Sequence, residues 1–479
     1  MKKCYTVLIV ACLVSTFVLS VIHVSLAAEN GRRPNILLIV TDQQQAAMMS
    51  CTGNRWLKTP AMDSLALGGT RFERAYAANP VCVAARFSLL TGHYPSAVGL
   101  RHNGSKTSGT ESFARRAMGH VFRDAGYRTL YGGKVHLPGA MRNVRDCGFE
   151  TVISPDSRGA LAAACAEFLE KEGPGRHEPD REPFLLVASF MNPHDICYMA
   201  INDYRRRQGL EIVGNRDSRT CETFVSKALA ADDLTTFVQN HCPPLPKNFE
   251  VTGGEPEAIS QLIASRSFRK YAREQWSEEK WRLHRWVYCR LTEMVDREIG
   301  MVLDALRKSG LEDDTLIVFT SDHGDMDSAH RMEHKTAFYE EATRIPLIVT
   351  LGGQTKPGHV DRSHLVSNGI DLLPTLCDYA GIAPPEGLPG RSVRILAEGS
   401  APSDWREDLV VENEIGLMVH TGRYKYARYD RGTPREMLLD LQNDPGEMSN
   451  LSADPAYGET IEALRERLNR HVRSIRVEE

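Results

Sequence analysis

The sequence predicts an α/β protein: a large, mostly parallel sheet sandwiched by helices, followed by a small C-terminal α+β subdomain. Three observations carry this expectation. Apolar runs of strand length recur along the chain, amphipathic helical stretches separate them, and several runs end on a residue able to do chemistry. The composition agrees: 42% hydrophobic and 25% charged residues exclude wholesale disorder, collagen and coiled coil. A formal charge of −4 leaves no global basic field for nucleic acid or an anionic membrane, so an anionic ligand needs a local constellation.

The chain opens with Lys2 and Lys3, an apolar run over 5–24, and the small-x-small triplet Ser25-Leu26-Ala27. This pattern predicts a secretory signal peptide over 1–27, hence an exported mature chain without a stable membrane span and located in the periplasm or secreted. Of eleven cysteines, nine remain after that segment, widely spaced and without a C-x-x-C pair, which argues against a zinc site.

The first buried-strand run, 35–41, ends on Asp42. Further runs are expected at 184–189, at 316–320 before Ser321-Asp322, and at 345–350. A long helix is expected over about 276–308, where Leu283, Val287, Leu291, Val295, Ile299, Leu303 and Leu306 form a stripe at spacings of three and four. Surface loops are expected at 173–183 and 242–256, rich in Pro, Gly and charge, and a break at 384–390. Short alternating segments over 416–429 and 436–441 and a closing helix from about 457 make up the C-terminal subdomain. The domain reading is a signal peptide over 1–27, a catalytic domain over 28–415 and a subdomain over 416–479.

In parallel sheets ligands gather at the carboxyl edge of the strands. Asp42, His194 and Asp322 all fall just past an expected strand end. Asp42-Gln43 and Asp322-His323 together offer two carboxylates, an amide oxygen and an imidazole, a set able to hold a divalent cation. Each Asp taken alone is equally a cap of the turn that follows.

A third stretch separates these readings. Cys82-Val83-Ala84-Ala85-Arg86 is followed by Leu90-Thr91-Gly92. A thiolate phosphatase places its arginine six positions after the cysteine, where Ser88 stands here. Cys-x-Ala-x-Arg resembles instead the signature of the type I, formylglycine-dependent sulfatases of the alkaline phosphatase superfamily. Other stretches resemble that family in the same order: Pro34-Asn35 through Asp42, the Gly133-Lys134-Val135-His136 segment, Asn192-Pro193-His194, and Ser321-Asp322-His323-Gly324 with Lys335 thirteen residues past Asp322. Asp440-Leu441, Asp444-Pro445 and Asn450-Leu451 resemble its C-terminal ending. The resemblance covers nearly all of the mature chain.

The resemblance implies an alkaline phosphatase-like fold and hydrolysis of sulfate monoesters. It implies that a maturation enzyme oxidises Cys82 to formylglycine, whose hydrate is both nucleophile and metal ligand beside Asp42, Gln43, Asp322 and His323. One geminal hydroxyl attacks sulfur and the other expels sulfate. It further implies Asp322 as base for the attack, Arg86 as the group holding the modified residue, Lys134 and Lys335 as charges on sulfate oxygens, His194 as acid for the leaving alcohol, and His136 as base for the collapse. Asn103, on a loop shortly after Cys82, is a candidate sulfate contact, and His330 and His334 are candidates to line the pocket. Arg205-Arg206-Arg207 reads as a solvated helix face.

Two departures from the family pattern qualify the expectation. Ala84 stands where proline is commonest, which leaves the maturation system open. Gln43 and His323 stand where many members have Asp and Asn, so the shell has two carboxylates; Ca²⁺ is expected, with Mn²⁺ the alternative. Related phosphonate hydrolases share the Asp-Gln and Asp-His pairs but commonly lack the lysine and histidine matched by Lys134 and His136. Export and the long insertion over 198–274 suit a sulfated carbohydrate as substrate, with another small sulfate ester as the alternative.

Overall fold

The computed structural model describes residues 33–173, 181–213, 219–230 and 232–476. The expected signal segment lies outside them. β1 (Asn35–Asp42) is the central strand of an eight-stranded sheet, and all eight of its residues are buried. Its side chains alternate between two cores: Ile36, Leu38 and Val40 pack on one face, Leu37 and Ile39 on the other. Burial on both faces is why this strand reads as a continuous apolar run rather than an alternation.

The other strands of the sheet are β2 (Thr70–Phe72), β4 (Arg128–Gly133), β5 (Thr151–Ser154), β6 (Phe184–Pro193), β7 (Thr315–Ser321), β8 (Leu347–Thr350) and β9 (His359–Asp361); β3 (Ala75–Tyr76) lies outside it. Their order is β5-β4-β6-β1-β7-β8-β2-β9. β8 pairs antiparallel with both β7 and β2, while every other pairing is parallel. β8 starts at Leu347, later than the expected 345, because Pro346 has no N–H to give a ladder. Register aligns the carboxyl ends: Thr41 lies opposite Ser321, Asp42 opposite Pro193, and Gly133 opposite Ser189. Asp42, Lys134, His194 and Asp322 therefore meet at one edge.

The long helix spans Glu278–Lys308, and Ser277 caps it by accepting from the Lys280 N–H. Every residue of the expected stripe is buried. Its C-terminal half joins the core beneath the sheet through Val295, Ile299 and Leu303, and its N-terminal half packs in a separate cluster through Leu283, Val287 and Leu291. The expected loop over 242–256 has no helix or strand; of the loop expected over 173–183, residues 174–180 lie outside the description.

After β10 (Val366–Ser367) and the helix Asn368–Ala380 comes a four-stranded antiparallel sheet of β11 (Leu409–Asn413), β12 (Gly416–His420), β13 (Tyr424–Tyr429) and β14 (Glu436–Asp440). This sheet begins at Leu409 rather than at the expected 416, since Leu409–Asn413 pairs in register with β12. One face holds the closing helix Gly458–Arg476 through Ile461, Leu464 and Leu468. The other face, with Val411, Met418 and Leu439, packs on Met326, Ala329 and Phe338. The segment that carries Lys335 is thus backed by the C-terminal sheet, and residues from Asn35 onward form one compact unit.

Candidate active site

Cys82 begins the helix Cys82–Thr91, a fully buried segment in the middle of the molecule. The first turn of a helix leaves N–H groups unpaired and favours negative charge, so the position suits an anion. Its Sγ lies 3.1 Å from His323 Nε2, 3.0 Å from Lys335 Nζ and 3.9 Å from Asp42 Oδ1. All nine described cysteines are free thiols. Burial pushes Cys147, Cys165, Cys197, Cys242, Cys289 and Cys377 up to about 12. At Cys82, burial and Asp42 act in the same upward direction, yet Lys335, Lys134 and His323 outweigh them and hold it well below the ordinary thiol value. One cysteine is set apart by its surroundings.

Arg86, one helical turn on, directs its guanidinium at the two carboxylates of the site. Its Nη2 donates to Asp42 Oδ2 at 2.7 Å, its Nε to Asp322 Oδ2 at 3.0 Å, and its Nη1 to Ser189 Oγ at 2.7 Å and the Lys134 carbonyl at 3.0 Å. Among the described contacts none goes to Cys82. The guanidinium fork fixes the two carboxylates instead, because a planar fork with five donors suits two acceptors at once.

Lys134 follows Gly133, whose φ of 89° only glycine adopts readily and where a Cβ would collide with the Ser189 carbonyl. That turn brings Lys134 Nζ to 2.6 Å from Asp42 Oδ2. Burial alone would raise Asp42, but Lys134, His194 and Arg86 hold it well below the usual carboxylate range. Asp322 goes the other way, pushed up by burial and by Asp42. Its Oδ1 accepts the N–H groups of Gln43 and His323.

Asp42, Cys82, Asp322 and His323 are all buried and present donor atoms within 4.8 Å of one another. His323 Nδ1 sits 2.9 Å from the Gly324 carbonyl, which can only accept, so in the neutral imidazole Nε2 is the nitrogen that offers a lone pair to the cluster. Two repelling carboxylates and an oriented imidazole fit a divalent cation. Gln43 Oε1 accepts from Lys335 Nζ at 2.6 Å and from Cys197 Sγ at 3.2 Å, while its Nε2 donates to Asp325 Oδ2 at 2.6 Å.

His194 stands at the end of β6 with Nδ1 buried and without a hydrogen-bond partner among the described residues; burial and Lys134 hold its pKa well below the ordinary imidazole value. His136 is exposed and has a positive φ of 47°. The Asn103 side-chain oxygen accepts the Val83 N–H at 3.0 Å, so it caps the first turn of the Cys82 helix. His334 pairs with Glu333 and packs on Phe268 beside the site. His330 is elsewhere, stacked on Tyr339 and bonded to Thr252. Arg205, Arg206 and Arg207 end the helix Cys197–Arg207, where Arg206 pairs with Glu222. Sequence reasoning missed Ser189, Asp325 and Tyr288, whose hydroxyl donates to the Gln43 carbonyl at 2.6 Å. Only the position of Ser189 and Asp325 near strand ends could have signalled them; Tyr288 lies within the Glu278–Lys308 helix, where nothing marks it.

A helix opened by a perturbed cysteine, a cluster able to hold a cation and two lysines at one sheet edge fit a hydrolase of anionic esters. The sulfatase profile matches residues 34–382, and a profile for the C-terminal part of N-sulphoglucosamine sulphohydrolase matches 328–474. The chain is 30% identical over 467 residues to a Δ4,5-hexuronate-2-O-sulfatase of Bacteroides thetaiotaomicron, covering 93% of this chain and 90% of that protein. The solved structure of a 2-O GAG sulfatase superposes with a TM-score of 0.75 at 27% identity, covering 93% of both chains. A phosphonate monoester hydrolase of Agrobacterium radiobacter shares the fold with a TM-score of 0.68 at 23% identity, covering 93% of this chain and 96% of that one. The chain belongs to the sulfatase family of the alkaline phosphatase superfamily. It is a sulfuric ester hydrolase.

Proposed function

We propose that this sulfatase acts on sulfated carbohydrate, using a formylglycine made from Cys82 and a bound Ca²⁺. The observation that carries the chemistry is the convergence of Cys82 with Asp42, Asp322, His323, Lys134 and Lys335 at one buried edge. The named activities of the 2-O-sulfatases above support a sugar substrate. The two carboxylate ligands favour Ca²⁺, and the His323 imidazole makes Mn²⁺ the alternative.

A hydrated aldehyde at position 82 supplies two geminal hydroxyls, one to attack sulfur and one to release sulfate. Asp42, Asp322, His323 and residue 82, with Gln43 beside them, would hold a divalent cation, which when bound would lower the hydroxyl pKa and neutralise sulfate oxygens. The remaining work falls to the chain's own side chains. Lys134 and Lys335 carry fixed positive charge beside residue 82, aimed at the sulfate oxygens. The proton of the attacking hydroxyl is assigned to Asp322, which lies in the same cluster as residue 82. Arg86 keeps Asp42 and Asp322 in register. His194 is neutral beside Lys134, and an entering sulfate adds the negative charge that lets the imidazole hold a proton for the leaving oxygen. The second proton transfer is assigned to the exposed His136, which lines the cleft beside Val83.

Mass spectrometry of the residue 82 peptide and sulfate release from defined sulfated sugars test this reading. Formylglycine at position 82 and faster turnover of sulfate than of matched phosphate esters are expected. An unmodified thiol in an active preparation, or faster phosphate turnover, refutes it. The signal-like N-terminus supports a secreted or periplasmic enzyme.

A further inference from the structure

Beside the reactive helix lies a cleft of about 750 Å³, a volume that accommodates a drug-sized ligand. Val83 and Asn103 form one wall and His136 another, so the cleft adjoins the residue after Cys82 and the proposed second base. Lys106 and Arg142 also line it, and no Asp or Glu does. Both cations are exposed, and neither has an ion pair among the described residues. They come from different segments, one from the loop after the Cys82 helix and one from the loop after β4. The two loops are fixed to each other by the Ala140 N–H donating to Thr110 Oγ1 at 3.1 Å, and to the reactive helix by Asn103 on Val83.

Inside the site, Lys134 and Lys335 beside the Asp42 and Cys82 cluster already offer positive charge for one sulfate, so the outer pair is not needed for it. Two cations across one cleft without counter-charge raise the local potential, which an anion between them lowers. We propose that this cleft is a subsite for a second anionic group, a sulfate or carboxylate on the sugar that carries the scissile ester or on its neighbour, held by Lys106 and Arg142. The inference rests on the carbohydrate reading and narrows it to polyanionic glycans.

The test reads binding, not turnover, in a Cys82→Ala protein. Calorimetry compares a disaccharide of neutral sugars bearing one sulfate with the same disaccharide bearing one on each ring. The disulfated sugar is expected to bind more tightly. Replacing both cations (Lys106→Ala with Arg142→Ala) should cut that preference roughly tenfold. The exchange Lys106→Arg with Arg142→Lys should keep it, and rising salt should erode it. Equal affinity for the two sugars, or a preference that survives the double alanine substitution, overturns the proposal. Sulfate release from the monosulfated sugar by the matured enzyme judges the parent reading separately, because the binding preference does not depend on turnover.

Discussion

Arg86 shows how much one side chain decides at this site. It is 3% exposed, and its fork spans both carboxylates. Arg86→Lys keeps the charge and loses the second arm, so sulfate release should fall about a hundredfold or more while the chain still folds. A variant with near-normal kcat would show that the carboxylates hold their places without it. Cys82→Ala should lose at least about a thousandfold in sulfate release, measured on matured preparations. Glu298 offers a prediction on stability. Burial first, and Asp156 second, push it up to about 8 from an ordinary 4.5. The protonated form therefore favours folding, and the penalty for ionising it grows as pH rises from about 4.5 to 8. Glu298→Gln should raise Tm by a few degrees at pH 8 and much less at pH 4.5, read by calorimetry. An equal shift at both pH values contradicts this. The residues of the motifs were legible because each sits at a recognisable spacing after an apolar run. Ser189 and Asp325 were not, because a lone serine or aspartate behind a strand has no spacing to mark it.

At the scale of elements, period decides what can be read. β1 and the Glu278–Lys308 helix were legible because their apolar residues repeat as a run and as a stripe. Leu291 in that helix is fully buried, and Leu291→Ala should cost about 2–5 kcal/mol in denaturant unfolding. A loss under 1 kcal/mol would show that its cluster collapses around the gap. The reversal of β8 was illegible: strand direction follows from how connections pack, and no residue of Leu347–Thr350 encodes it. The short strands β2, β3, β9 and β10 escaped for a related reason, since two or three residues give no period.

For the whole molecule, the site is an assembly of distant pieces, and its stability should reflect that. Removing a cation held by the proposed site would return the repulsion between Asp42 and Asp322. Exhaustive chelation is therefore expected to abolish sulfate release and lower Tm by a few degrees, with Ca²⁺ restoring both. Full activity after chelation would remove the metal from the account. The small C-terminal sheet was legible as a unit, but its service to the site was not. Asn413 Nδ2 donates to the Thr336 carbonyl at 2.5 Å, a bond across 77 residues that no local pattern announces.

The burial of Cys82, 1% exposed at the start of a sealed helix, bears on chronology. Another protein's active site cannot close around a side chain that lies beneath the finished surface. If Cys82 is oxidised as proposed above, the enzyme that does it would have to meet the thiol on a nascent or unfolded chain, before the sheet edge shuts. On that proposal the window for becoming an enzyme would be brief and would close with the fold, and a molecule that completed its structure first would be stranded as a thiol form.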